Sequence, residues 1–218
     1  MTTNMRLTKF KRGNQKGFTI MEVMIATIVF GVVLIAITTA IMNFTRVYYK
    51  GVTESNVQDT ARTISDLIAQ GIQFNGGDIA ATGSPSAGAS AKFCIGGKRY
   101  SYQLGYKVTD ASHSTGNLRY HGIVVDDFSS CSTSASVQNM DSATVTGREL
   151  LSPNMRLATM SVTNVSGDLY KIRVKVVYGD DDLLNNPTAS NATCKDIRFG
   201  TQFCAVSDIT TTVVKRVE

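Results

Sequence analysis

The 218-residue chain is poor in the residues that usually announce chemistry or break a helix. It has two histidines, His113 and His121, and neither sits in a sequence that signals a nucleophile or a metal centre, so an enzyme has no support. No two of its four cysteines stand at a CxxC spacing, which excludes the usual zinc and thioredoxin-type motifs. Proline is absent from residues 18 to 74, so nothing there forces a helix to stop. Acid is absent from residues 1 to 17, which hold Arg6, Lys9, Lys11, Arg12 and Lys16. Without that basic leader the rest of the chain carries 17 basic and 17 acidic side chains, so the net charge of +5 implies no nucleic-acid surface on the remainder.

Behind the leader comes an apolar run, residues 18 to 42, about the 20 or so residues needed to cross a bilayer as a helix. The basic leader holds the N-terminal side in the cytoplasm, and everything after residue 43 is then exported. All four cysteines, Cys94, Cys131, Cys194 and Cys204, lie on the exported side, where disulfides form. A plain signal anchor, or a signal peptide cut after Ala40, would share this pattern but leaves one residue unexplained. That residue is Glu22, a single carboxylate near the start of the apolar run.

Residues 18 to about 74 read as one helix of roughly 80 Å at 1.5 Å per residue, half of which must protrude from a domain of this size. Its first part, 18–42, suits a membrane or a filament core. The continuation, 43–74, is amphipathic: Val57, Ala61, Ile64, Ile68 and Ile72 recur at spacings of 4, 3, 4 and 4 and form a face that should pack on a sheet. Gly31, Thr38 and Thr39 are the weak points of the membrane half. A Gly/Ser/Ala-rich loop, 75–91, leads to a β-rich exported domain, 92–218. Within it, Tyr170, Ile172, Val174, Val176 and Tyr178 alternate with Lys171, Arg173 and Lys175, predicting a strand with one buried and one solvated face. "MRLATMSVTNV" precedes it and joins it through Ser166–Asp168, a hairpin pattern. "KRYSYQLGYKV", "LRYHGIVVD" and "DITTTVVKRV" are further strands, and short connections imply antiparallel pairing. The expected class is α+β, a long N-terminal helix packed on an antiparallel sheet.

The stretch Lys16-Gly17-Phe18-Thr19-Ile20-Met21-Glu22 resembles the processing site of type IV prepilins and pseudopilins: a basic leader ending in glycine, an aromatic residue, and glutamate fifth after the cut. The resemblance is strong over residues 6 to about 45 and architectural beyond. It implies that a prepilin peptidase cuts between Gly17 and Phe18 and N-methylates Phe18. Glu22 would neutralise the Phe18 amine of a neighbouring subunit, and helical spacing would put Glu22 on the same face as Phe18. The implied partners are other subunits through the N-terminal helix, the peptidase and an inner-membrane assembly platform. The implied location is a single-pass membrane protein, then a periplasmic or extracellular filament. The segment "VQDTARTISDLIAQGIQFNGGD" is weakly similar to W-type minor pilins and J-type minor pseudopilins, which implies a minor subunit.

The cysteines permit three pairings, of which the two local ones, Cys94 with Cys131 and Cys194 with Cys204, are favoured. Asp180, Asp181 and Asp182 offer oxygen ligands of the kind calcium takes, but the segment lacks the EF-hand glycine and reads as a solvated loop; no cofactor is expected. Lys98, Arg99 and Lys107 interleave with Tyr100, Tyr102 and Tyr106, a composition suited to stacking on single-stranded DNA. A tip subunit whose sheet domain captures DNA or adheres to a host surface is therefore the alternative to a structural role.

Overall fold

In the computed structural model the described residues are 17–74, 79, 85, 88–108, 120–128, 131, 136–142, 144–196 and 200–216. Among these residues one α-helix, α1 (Ile20–Phe74), is followed by nine strands: β1 (Ser90–Ile95), β2 (Lys98–Gln103), β3 (Ile123–Asp127), β4 (Arg148–Glu149), β5 (Met155–Ser166), β6 (Leu169–Tyr178), β7 (Leu184–Asn185), β8 (Thr193–Cys194) and β9 (Ala205–Val214). The chain divides into two compact units, residues 1–45 and 46–218, with α1 contributing to both.

In the first unit every described residue is exposed except the half-buried Gly31. The helix runs unbroken through Gly31, Thr38 and Thr39. The hydroxyls of Thr38 and Thr39 donate to the carbonyls of Leu34 (2.7 Å), Ile35 (3.1 Å) and Ala36 (2.9 Å), so these polar side chains are satisfied within the helix itself. α1 is the helix among the described residues that is long and apolar enough to cross a membrane.

The second unit is α+β, with the amphipathic end of α1 against antiparallel sheet. Val57, Ala61, Ile64, Ile68 and Ile72 are all buried, as their spacing predicts, and they share one core with Phe93, Tyr100, Tyr102, Ile123, Leu157, Met160, Ile172 and Val174. The sheet itself is divided: β1-β2-β3-β4 form one, β5-β6-β9 a second, and β7-β8 a short ribbon, all antiparallel. A kink after β2 links the two larger sheets. The Gly105 N–H donates to Leu157 O (2.8 Å) and the Val108 N–H to Met155 O (2.8 Å), laying the end of the "KRYSYQLGYKV" segment along β5. Gly105 has φ +87° and a Cβ there would fall 2.6 Å from Thr188 O, so only glycine fits this crossing.

The hairpin from β5 to β6 forms through Gly167, with Ser166 opposite Leu169. One sequence expectation is corrected by the rest of β6. Lys175 is buried, its Nζ donating to Ser190 O at 3.0 Å, and Val177 is buried as well. The far half of β6 is therefore covered on both faces. The cover is the segment from Gly179 to Cys204, whose Leu184, Ala192 and Cys204 form a second small core with Ala158 and Val177. The predicted strand "LRYHGIVVD" is also shorter than its pattern, since Tyr120, His121 and Gly122 precede β3; Leu118 and Arg119 lie outside the described residues.

Candidate functional site

The N-terminal turn of α1 departs from the sequence expectation in one informative way. The helix starts at Ile20, not Phe18. Thr19 occupies the position before the first helical residue: its hydroxyl accepts the Glu22 N–H (3.2 Å), while Glu22 Oε2 accepts both the Thr19 N–H (3.2 Å) and the Thr19 hydroxyl (3.2 Å). The Val23 N–H then closes the first turn on Thr19 O at 3.3 Å. This reciprocal pairing is a capping box, in which a threonine and a glutamate three residues on satisfy donors that the helix start leaves open. A carboxylate in the first turn also faces the positive end of the helix dipole.

Two consequences follow for the chemistry. Phe18, 85% exposed, stands ahead of the cap, so the four-residue helical spacing expected between Phe18 and Glu22 does not apply. Instead the carboxylate is held by the residue next to Phe18, bonded to the Thr19 N–H one peptide away from the Phe18 nitrogen. Thr19 is the functional residue that the sequence reading missed. Its signal was present, because Thr-x-x-Glu ahead of an apolar run is a capping pattern. Gly17 lies outside the helix, with nothing within 4 Å of where a Cβ would stand, so the Gly17–Phe18 bond sits in open, non-helical backbone. Residues 1–16 lie outside the described residues.

The other candidates belong to the second unit. Cys94 is bonded to Cys131 and Cys194 to Cys204, with Cα atoms 5.7 and 5.8 Å apart. Asp180 accepts Lys107 Nζ at 2.6 Å. Asp181 accepts the guanidinium of Arg156, which is 1% exposed and also donates to Gly179 O (3.0 Å) and Pro187 O (3.2 Å). Arg156 thus pins the start of the 179–204 segment to β5. The Asp182 carbonyl receives Lys195 Nζ at 2.8 Å. Among the described residues, no three His, Cys, Asp or Glu side chains converge as a metal-ion cluster would.

The tyrosines of β2 do not form a stacking platform. Tyr100 and Tyr102 are buried, with Tyr100 stacked on Phe93 at 4.8 Å, and burial pushes the Tyr100 phenol above its ordinary pKa. Tyr106 stacks on Tyr120 at 4.9 Å. The cations are engaged too: Lys98 with Asp127 (2.7 Å), and Arg99 with Asp126 through two bonds (2.6 and 3.0 Å) while lying over the Phe128 ring. The alternation of basic and aromatic residues reflects the two covered faces of a strand. His121 is likewise tied down, its Nδ1 3.1 Å from Glu149, whose carboxylate also accepts the N–H groups of Gly122, Ile123 and Leu151. His113 lies outside the described residues.

No curated protein and no solved structure matches this chain. The family model of the prokaryotic N-terminal methylation motif matches residues 12–38, the segment that contains Gly17, Phe18, the Thr19–Glu22 cap and the start of the apolar helix. Over that segment the chain is similar to prokaryotic proteins that carry an N-terminal methylation motif, and the helix behind it is long and apolar enough to cross a membrane.

Proposed function

We propose that the protein is a minor type IV pilin or pseudopilin, a structural subunit and not a catalyst. In this reading residues 1–17 are a cytoplasmic leader, removed by a prepilin peptidase between Gly17 and Phe18, and the new Phe18 amine is methylated. The chain then passes from the inner membrane, through an assembly platform, into a filament whose core is built from residues 18–42 of many subunits. The unit built from α1 and the sheets faces outward. No resident cofactor is part of this reading.

The observation that carries it is the constellation at the helix start. An acid at mid-membrane costs roughly 2.5 to 3.5 kcal/mol on insertion scales, so an unexplained one invites a function. The cap offsets part of that cost in the lone subunit by giving Glu22 two donors from Thr19. Cleavage at Gly17 would add a cation directly beside this cap. A Glu22 carboxylate about 4 Å from a neighbour's amine gains roughly 4 kcal/mol at an effective dielectric near 20. That gain is comparable to the insertion cost of the acid, so the pair can offset its burial.

Mass spectrometry of protein sheared from cell surfaces tests the reading. The expected mature N-terminus is N-methylated Phe18; Ile41 as the first residue would identify ordinary signal peptidase and overturn it. Glu22→Ala should leave the precursor inserted and cleaved yet reduce its share of the filament fraction. Equal incorporation would show that this carboxylate does not guide assembly.

A further inference from the structure

Among the described residues β9 is the margin of its sheet, pairing with β6 alone. Its ten residues keep an unbroken register with β6, from Leu169 opposite Val214 to Tyr178 opposite Ala205. The opposite margin, β5, is guarded: its register slips between Leu157 and Thr159 and between Asn164 and Ser166, and the Gly105–Val108 segment lies along its first residues. Slips and covering segments are how edge strands are kept from pairing further. Among the described residues β9 has neither, and it contains no proline and no lysine.

Which backbone groups of β9 are open follows from one bond. The Lys215 N–H donates to Asp168 O at 2.9 Å, and these two residues continue the β6–β9 register, so they form a hydrogen-bonded pair. Antiparallel pairs alternate. Residues 205, 207, 209, 211 and 213 therefore direct their backbone groups to β6, while Val206, Asp208, Thr210, Thr212 and Val214 direct both N–H and C=O away from it. Among the described residues no backbone bond closes on that side. The same five side chains are exposed on the outer face. The only charge in the row, Asp208, is already held by two bonds from Arg173 (3.1 and 2.8 Å). On the inner face Ile209 and Thr211 stay half-buried between the buried Ala205 and Val213, so the core is incompletely closed along this edge.

Alternating N–H and C=O groups over nine residues match an extended strand and little else. The direction of β9 limits whose strand it is. Thr53 of α1 donates to Gln202 O (3.2 Å) just before β9, and the Arg216 N–H just after it donates to Gln73 O (3.2 Å), so β9 and α1 run the same way. Pairing β9 with a second β9 about a two-fold axis would oppose the two helices. Chains inserted from one side of a membrane cannot do that.

We infer that β9 is a docking edge that receives an extended strand from a co-oriented neighbouring subunit of the filament, adding a fourth strand to β5-β6-β9. This rests on the proposed pilin function. The test places a photo-crosslinking benzophenone side chain at Val214 in the full chain, in cells that assemble the filament, and identifies the adduct by mass spectrometry of sheared filaments. An adduct to a strand segment of a pilin-like subunit is expected. Thr210→Pro, which removes an outward N–H without touching the β6 ladder, should lower its yield about fivefold, the worth of one backbone hydrogen bond. Thr212→Lys, which adds an edge charge on an exposed side chain, should do the same, and Thr210→Val should not. Chain present in filaments without such an adduct, or with unchanged yield in both Thr210→Pro and Thr212→Lys, would overturn the docking edge and leave the pilin reading standing. Absence of the chain from filaments would overturn both.

Discussion

Between Ile20 and Thr45, α1 carries apolar side chains on every side and buries none of them; between Val57 and Ile72 a stripe of Val57, Ala61, Ile64, Ile68 and Ile72 is buried, with Leu67 and Ala69 half-buried beside it. The two halves share a backbone conformation but not a source of stability. An amphipathic helix is held by the surface it covers, whereas a helix apolar all round needs an apolar surrounding, supplied by lipid or by other helices. The first half is thus complete only in company. The second is complete within its own unit.

The largest effect that would break this comparison comes from truncating the same residue type in each half. Ile68→Ala, at a position with no exposure, should lower unfolding free energy by about 2 to 5 kcal/mol, measured by denaturation of the detergent-solubilised chain. Ile28→Ala, at a residue 65% exposed, should change it by less than about 0.5 kcal/mol. A comparable loss at both positions would mean that the first half is packed after all.

Next in size is the Cys194–Cys204 bridge, which closes the segment covering the outer face of β6. Replacing both cysteines with serine should cost about 2 to 4 kcal/mol. Amide exchange should localise the loss to Val177 and the 179–204 segment, leaving the helix stripe protected.

A smaller effect is expected at the cap. Thr19→Ala removes one side of the reciprocal pairing and should cost the first turn of α1 about 1 kcal/mol, seen as faster amide exchange at Ile20 to Val23. The melting of the second unit should not move. Thr19→Ser should restore the slow exchange.

The smallest concerns Arg173 and Asp208. Hydrogen bonding from the Arg173 guanidinium holds the Asp208 carboxyl below its ordinary pKa, aided by the charges of Arg173 and Lys175 and opposed by partial burial. A depressed folded-state pKa stabilises above the unfolded value near 4 and is lost as pH falls through the folded value. The pair is about 48% and 34% exposed, so solvent screening limits its worth to under about 1 kcal/mol. Asp208→Asn should therefore cost a few tenths of a kcal/mol at pH 7, and urea titrations should show that difference shrinking as pH falls below the ordinary carboxylate range.

What the sequence determined by itself is what neighbours along the chain decide. The helical spacing from Val57 to Ile72, the Ser166–Asp168 hairpin and the alternation in the first half of β6 depend on 3.6- and 2-residue periods and on local turn chemistry, and each appears in the structure. The Thr19–Glu22 cap was legible for the same reason, though only Glu22 was read. Tertiary structure decided the rest. Lys175 follows the polar alternation of β6, yet it is buried because Arg156, distant in sequence, pins a segment across that face. Tyr100 and Tyr102 have the composition of a nucleic-acid contact, but α1 and the sheet enclose them in a core. The open row of β9 is equally invisible in "DITTTVV", because whether a strand is central or marginal depends on which others pair with it. Local periodicity sets what a side chain can face; only contacts between distant segments set what is there to meet it.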